Sequence, residues 1–172
     1  MSSTIVFASN RDNPTLDRLG GGEIYLLNPD GTDLRRLTTN SAFDIFPVLS
    51  PDGKQIVFDS HRDRPTSDPA NTSDLFLMQN DGTHQRLLTQ GSSATWSPDS
   101  KSIAFHASAS GRGEPINADL GAATLDSDIF VARVGDLLDF GPAQRTNITN
   151  SAGVVDSDAD WSPAGNEIAF DS

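Results

Sequence analysis

The chain has 172 residues and no cysteine, which excludes disulfides, cysteine-ligated metals and a cysteine nucleophile. Its 12 basic and 24 acidic residues give a formal net charge of −12, which opposes binding to nucleic acids and anionic lipid surfaces and favours a basic partner. With 35% hydrophobic and 21% charged residues, the composition is that of a folded chain, and its length suits one compact domain.

Short apolar segments bounded by turn residues recur along the chain in a fixed order. One contains Ile-x-Phe, and its copies begin at Ile5, Ile56, Ile103 and Ile168. Another begins with an acidic residue, and its copies begin at Glu23, Asp74 and Asp128. Because β-branched and aromatic residues dominate these segments, they are predicted to be β-strands. The Ser-Pro-Asp and Asp-Gly sequences between them are typical of hairpin turns, so consecutive strands are expected to pair.

One repeating unit therefore contains four strands, labelled here A to D. Strand A precedes Ser-Pro, B contains Ile-x-Phe, C begins with the acidic residue, and D ends in Leu-Thr or Ile-Thr. A four-stranded repeat of about 40–50 residues is typical of a propeller blade. The prediction is an all-β fold, a β-propeller of four-stranded antiparallel blades with about three blades present. The single segment 1–172 divides into a partial blade at 4–40, blades at 44–90 and 94–150, and a partial blade at 156–172.

Helical periodicity is sustained nowhere, and the best candidate for a short helix is 134–140. A closed ring needs at least about four blades, so three arrangements are open. The chain is part of a larger ring, or a second copy completes the ring as a homodimer, or the blades form an open arc.

Several segments resemble the repeat of TolB-like β-propellers: Ser-Pro-Asp-Gly-Lys at 50–54, Trp-Ser-Pro-Asp at 96–99 and Asp-Ile-Phe-Val at 128–131. The blades are also similar to those in the propeller domains of prolyl-oligopeptidase-like and tricorn-type proteases. The resemblance covers nearly the whole chain and implies the propeller fold. It implies little about function, because such repeats serve many roles.

Acidic residues at the start of strand A are the first candidates for a site. Asp44 and Asp156 each lie six residues before the serine of a Ser-Pro pair, and with Asp158 they are predicted to bind a ligand. The alternating carboxylates of Asp156, Asp158 and Asp160 suit a hard cation such as Ca²⁺, although their spacing does not match an EF-hand. By resemblance, strand A lines the propeller channel, where TolB-like propellers can hold calcium. The alternative is a solvated acidic rim.

Arg11 and Arg62 follow successive copies of strand B. Because they recur with the repeat, we expect each to bond a neighbouring carbonyl or carboxylate, and both are also candidate ligand-binding residues. The acidic residues that open strand C are expected to accept hydrogen bonds from loop backbone amides. The long B-to-C connections at 10–22, 61–73 and 108–127 are rich in turn residues and are candidate recognition loops.

No catalytic residue is predicted, because the chain has no Gly-x-Ser-x-Gly, His-x-x-x-His or nucleotide-binding glycine motif. The predicted function is a non-catalytic scaffold that presents loops and an acidic rim to a protein, peptide or carbohydrate. Two alternatives are the propeller portion of a larger hydrolase, such as a prolyl-oligopeptidase-like peptidase, and a carbohydrate-active propeller enzyme that uses channel acids.

Apart from the possible Ca²⁺, no cofactor is predicted, and neither nucleic acid binding nor membrane insertion is expected. The chain shows no signal peptide and no apolar run long enough to cross a membrane. As written it is expected in the cytoplasm, or in the periplasm or outside the cell if it is a truncated or mature form.

Overall fold

The computed structural model describes residues 4–12, 22–62, 73–108, 127–141 and 143–172. These residues contain thirteen strands and one short helix, α1 (Val134–Phe140). The strands of the first half are β1 (Ile5–Ser9), β2 (Glu23–Leu27), β3 (Arg35–Arg36), β4 (Asp44–Leu49), β5 (Gln55–Ser60), β6 (Asp74–Gln79) and β7 (Arg86–Gln90). Those of the second half are β8 (Ser92–Trp96), β9 (Ser102–Ser108), β10 (Ser127–Arg133), β11 (Thr146–Asn147), β12 (Ser157–Trp161) and β13 (Ile168–Asp171).

The strands form four antiparallel sheets, called blades 1 to 4 in chain order. Blade 1 has the order β1-β2-β3, blade 2 β4-β5-β6-β7, blade 3 β8-β9-β10-β11, and blade 4 β12-β13. Every strand pairs with the strand next to it in the chain, as the recurring hairpin turns predict. The predicted fold class, an all-β propeller of four-stranded antiparallel blades, is confirmed. Most residues of the three predicted recognition loops lie outside the described part of the chain.

Each interior blade buries both of its faces against a neighbour. In blade 2, Ile56 and Phe58 pack with Ile24 of blade 1, whereas Val57 on the opposite face packs with Phe105 of blade 3. The alternation arises because successive side chains of a strand point to opposite faces. Between blades 3 and 4 the contact is made by a smaller cluster of Ala104, Ile129 and Ala159. Stacked sheets of this kind bury the apolar surface that a single sheet leaves exposed.

Matching strands of successive blades lie next to one another. Strand A of blade 3 contacts strand A of blade 2, since Trp96 Nε1 donates a hydrogen bond of 3.1 Å to the Val48 carbonyl. The outer parts of blades 1 and 2 are joined beside strands β3 and β7, since Gln85 Nε2 donates to the Leu37 carbonyl at 3.0 Å. The first strands β4, β8 and β12 therefore form one edge of the stack, as the inner strands of a propeller do.

Helix α1 lies between strands C and D of blade 3. Its Val134 and Leu137 join the apolar cluster between blades 2 and 3. The helix ends at Gly141, which has a φ of 94° and donates its amide to the Leu137 carbonyl at 3.1 Å. The segment proposed from the sequence as the best helix candidate is thus helical. Within the described part of the chain, no helix has the length and hydrophobicity needed to cross a membrane.

Candidate binding site

Each first strand contains a β-bulge, an irregularity at which its register with strand B shifts. The shifts fall between Ile45 and Val48, between Ser92 and Thr95, and between Ser157 and Asp160. At each bulge one non-glycine residue has a left-handed backbone conformation: Phe46 (φ 48°), Ser93 (φ 51°) and Asp158 (φ 49°). All three lie four residues before the serine of Ser-Pro, so they occupy equivalent positions in the repeat.

These three positions, called the bulge residues below, combine backbone strain with exposure. The Phe46 side chain is 53% exposed, Asp158 is exposed, and Ser93 is partly exposed. A left-handed conformation costs an ordinary L-residue roughly 1–2 kcal/mol, and such strain concentrates at functional sites. Sequence reasoning identified Asp158 but missed Phe46 and Ser93. Their constant offset from Ser-Pro was the available signal.

Asp44, a predicted ligand-binding residue, is completely buried. Its Oδ2 accepts hydrogen bonds from Asn40 Nδ2 at 2.6 Å and from Arg62 Nη2 at 2.8 Å. The Arg62 guanidinium also lies over the Phe76 ring, 4.6 Å from the centroid, and donates to Gln85 Oε1 at 2.7 Å. Arg62 therefore makes the carboxylate contact expected of it, and it connects the end of strand B with strands A and C of blade 2 and with the turn before strand D. That Asp44 or Arg62 also binds a ligand stays a prediction.

Arg11 occupies the same place in blade 1. Its guanidinium carbon lies 4.8 Å from the centroid of Phe7 and 4.9 Å from that of Tyr25. The Tyr25 hydroxyl donates to Asp12 Oδ2 at 2.6 Å. Burial, together with the adjacent Asp12 carboxylate, raises the pKa of Tyr25 to about 12. Arg11 thus packs on an aromatic pair as Arg62 does, and its role in ligand binding stays a prediction.

The acidic residues that open strand C are held by different partners in different blades. Asp128 Oδ1 accepts the Ser151 amide at 2.8 Å, which is the loop contact expected from the sequence. Although burial raises the pKa of Asp128, its hydrogen bonds outweigh that effect and hold the pKa below its ordinary value. Glu23 instead accepts from two side chains, Arg36 Nη2 and Thr38 Oγ1, each at 2.6 Å. Asp74, in blade 2, is buried.

The three carboxylates proposed as Ca²⁺ ligands face different partners. Asp156 is buried, and a hydrogen bond from Ser151 Oγ lowers its pKa. Asp158 is exposed and lies near His106, whereas Asp160 Oδ1 accepts from Thr95 Oγ1 at 3.4 Å. Among the described residues, no group of three or more aspartate, glutamate or histidine side chains is arranged to hold a metal ion. The Ca²⁺ site stays a prediction, which melting with and without millimolar calcium would test.

Two polar residues at the end of strand B pack against the bulge of the next blade. Asp59 is completely buried and accepts hydrogen bonds from Ser92 Oγ and, at 3.3 Å, from the Ser93 amide. Burial outweighs these bonds and raises the pKa of Asp59 to about 7. The equivalent residue of blade 3, His106, faces Asp158, and burial lowers the pKa of His106 although Asp158 opposes the change. The bulges of blades 3 and 4 are thus each supported by a titratable side chain from the preceding blade.

Sequence reasoning missed Asp59 and His106. They occupy the residue after Ile-x-Phe, a position that holds alanine at residue 8 and aspartate at residue 171. Because the residue type varies from copy to copy, the repeat alone gave no reason to select them. Only the stacking of blade on blade brings them to the bulges.

No family model matches the chain. A TolB homolog from Chlorobium luteolum is 44% identical over 48 residues, which cover 28% of this chain and 11% of that protein. The crystal structure of TolB from Acinetobacter baumannii superposes with a TM-score of 0.63 at 17% identity, covering 97% of this chain and 35% of that one.

The propeller domain of the Trilobed protease from Pyrococcus furiosus superposes with a TM-score of 0.55 at 14% identity, covering 97% of this chain and 43% of that one. The chain therefore spans less than half the length of each of these three proteins. At such low identity the two superpositions establish the fold alone. Together with the recurring blades, they show that the chain has the fold of a TolB-like β-propeller.

Proposed function

We propose that the chain is a non-catalytic binding propeller that contacts a basic segment of a protein or peptide through its bulge residues. Phe46, Ser93 and Asp158 carry this proposal, because they share one strained conformation on adjacent first strands and present three different side chains. A constant backbone with a variable side chain is what a binding surface built on a repeat requires. The exposed aromatic ring of Phe46 supplies an apolar contact, and Asp158 supplies a negative charge.

Charge supports a basic partner. The net charge is −12, and on strand A of blade 4 the carboxylates of Asp158 and Asp160 are both exposed. An acidic surface attracts cationic segments over a distance that shortens as salt is added. Binding to this surface is therefore expected to weaken at higher ionic strength.

The test uses the full chain and two fluorescent peptides of equal length. One peptide contains lysines and aromatic residues, and in the other every lysine is replaced by glutamate. We expect fluorescence anisotropy to show saturable binding of the lysine peptide, with an affinity at least about tenfold above that of the glutamate peptide. Equal binding of the two peptides, or binding of neither, would contradict the proposal.

Variants locate the contact. Asp158→Asn removes the charge and keeps a residue type that tolerates the left-handed conformation, so the fold is retained. Asp158→Asn is expected to lower the affinity for the lysine peptide about three- to tenfold. Asp139→Asn, which removes an exposed charge on α1, is expected to leave that affinity unchanged. If both variants bind alike, the bulge residues are not the contact.

The propeller portion of a larger hydrolase is the alternative, and it is favoured by the fold shared with the protease propeller domain. A Gly-x-Ser-x-Gly segment in the same gene product would support it. A carbohydrate-active propeller that uses Asp44 and Asp156 is tested by turnover of oligosaccharides. Turnover by the wild type that is lost in Asp156→Asn would replace the binding proposal.

A further inference from the structure

A cavity of about 550 Å³ lies between the outer strands of blades 2 and 3. Strand β7 contributes Leu87, Thr89 and Gln90 to its lining, and blade 3 contributes Phe130, Arg145 and Asn147. The volume is within the range of roughly 300–1,000 Å³ that is usual for small-molecule sites. This inter-blade cavity is separate from the bulge residues, which lie on the first strands.

Arg145 provides the cavity with a cation. Its guanidinium carbon lies 4.5 Å from the centroid of the Phe130 ring, and Nη1 donates to the Gln90 carbonyl at 2.9 Å. Within the described part of the chain, no carboxylate lies within ion-pair distance of this half-buried side chain. Burial lowers the pKa of Arg145, because it removes hydration from the charged guanidinium.

Comparison with blade 2 identifies what is missing. There Arg62 lies over Phe76, the equivalent of Phe130, at 4.6 Å, and it is paired with the Asp44 carboxylate at 2.8 Å. The position of Asp44 in the repeat is held in blade 3 by Gly91.

No side chain fits at Gly91. A Cβ there would lie 2.6 Å from the Phe105 ring and 2.9 Å from the His106 carbonyl oxygen. Blade 3 therefore keeps the guanidinium stacked on an aromatic ring but has no room for the carboxylate that neutralises it in blade 2.

We propose that the inter-blade cavity binds a carboxylate attached to an apolar group. The carboxylate would accept hydrogen bonds from the Arg145 guanidinium in the role that Asp44 has toward Arg62. The apolar group would lie against Leu87, whose side chain is 46% exposed, and the edge of Phe130. A planar guanidinium presents several parallel donors, so it binds a carboxylate with better-defined geometry than a compact ammonium group does.

Phenylacetate is the probe, and its neutral analogue phenylacetamide is the matched control. In amide NMR spectra of the full chain, we expect phenylacetate to produce saturable shifts at Gln90, Phe130 and Arg145. Phenylacetamide, which lacks the charge, and acetate, which lacks the ring, are each expected to bind at least about tenfold more weakly. If phenylacetate gives no saturable shift at these residues, or if phenylacetamide binds equally well, the proposal is wrong.

Two variants separate the cavity from general effects on the fold. Arg145→Gln is expected to weaken phenylacetate binding at least about tenfold, whereas Arg35→Gln, at an exposed arginine, leaves it unchanged. Leu87→Glu changes an exposed residue and places a carboxylate in the cavity, where it pairs with Arg145 and blocks the probe. If the Leu87→Glu protein is folded and binds phenylacetate as the wild type does, the proposal is overturned whatever the Arg145 variant shows.

Discussion

Arg62 Nη2 lies 2.8 Å from Oδ2 of Asp44, a carboxylate with no exposed surface. Removal of the guanidinium would leave this carboxylate buried and without its cation. We expect Arg62→Ala to lower the free energy of unfolding by about 3 kcal/mol or more, measured by urea denaturation. Arg62→Lys keeps the charge but loses the planar stack on Phe76, so its loss is expected to be smaller.

The control for this variant is Arg35→Ala. Arg35 pairs with Asp33 at 3.3 Å, but both side chains are about half exposed, so the loss should stay below about 1 kcal/mol. Equal losses in the two alanine variants would show that the buried pair contributes no more than an exposed one.

The buried carboxylate of Asp59 should make stability depend on pH. Its pKa of about 7 in the folded protein lies above its ordinary value of 3.8, so the folded state binds the proton more tightly. The contribution of Asp59 to the free energy of unfolding is therefore expected to be largest below about pH 4 and to be lost as the pH rises through about 7.

Asp59→Asn removes this titration and keeps the shape of the side chain. The variant should be more stable than the wild type at pH 8, by an amount on the order of a few kcal/mol, and the difference should shrink toward pH 4. Urea denaturation across this pH range measures both curves. Parallel curves would show that Asp59 does not titrate as described.

Gly91 is needed for space as well as for its backbone conformation. Its φ is 146°, and a Cβ would meet the Phe105 ring at 2.6 Å. Gly91→Ala is expected to cost about 3 kcal/mol, since overpacking is added to backbone strain. Gly31→Ala, at a φ of 84° with no atom within 4 Å, should cost about 1 kcal/mol. Thermal or urea unfolding compares them, and a smaller loss at Gly91 would contradict the close contact.

The left-handed conformation of Phe46 is predicted to lower the stability of the fold while its exposed ring contributes to peptide binding. Phe46→Gly relieves the left-handed strain and is expected to raise the free energy of unfolding by about 1 kcal/mol. The same change should lower the affinity for the lysine peptide, because the exposed ring is lost. If the variant is less stable and binds unchanged, Phe46 has a packing role instead.

The strands were predictable because their local residue preferences agree with the pattern of burial that the stacked blades require. Phe58 and Phe105 alternate with residues of the opposite face, and the turns beside them contain glycine or proline, so pattern and propensity agree. The fold followed from the recurrence of this pattern.

The shared conformation of the bulge residues was not predicted, since Phe46, Ser93 and Asp158 have a common offset from Ser-Pro but no common chemical property. The sequence also did not indicate that Arg145 stacks on Phe130 in blade 3 as Arg62 stacks on Phe76 in blade 2. One guanidinium follows strand B and the other precedes strand D, and only the folded sheet shows that both reach an equivalent ring. The relationship between Arg62 and Arg145 is not local in the chain, so no spacing rule reports it.

The meander order of the sheets also governs how the chain is made. Because every strand pairs with its immediate predecessor or successor, the backbone ladder of a blade closes over a short stretch of polypeptide. Contacts close in the chain form quickly, and synthesis proceeds from the N-terminus at about 5–20 residues per second. During translation each blade can therefore fold on the one already completed, as soon as its own last strand has left the ribosome.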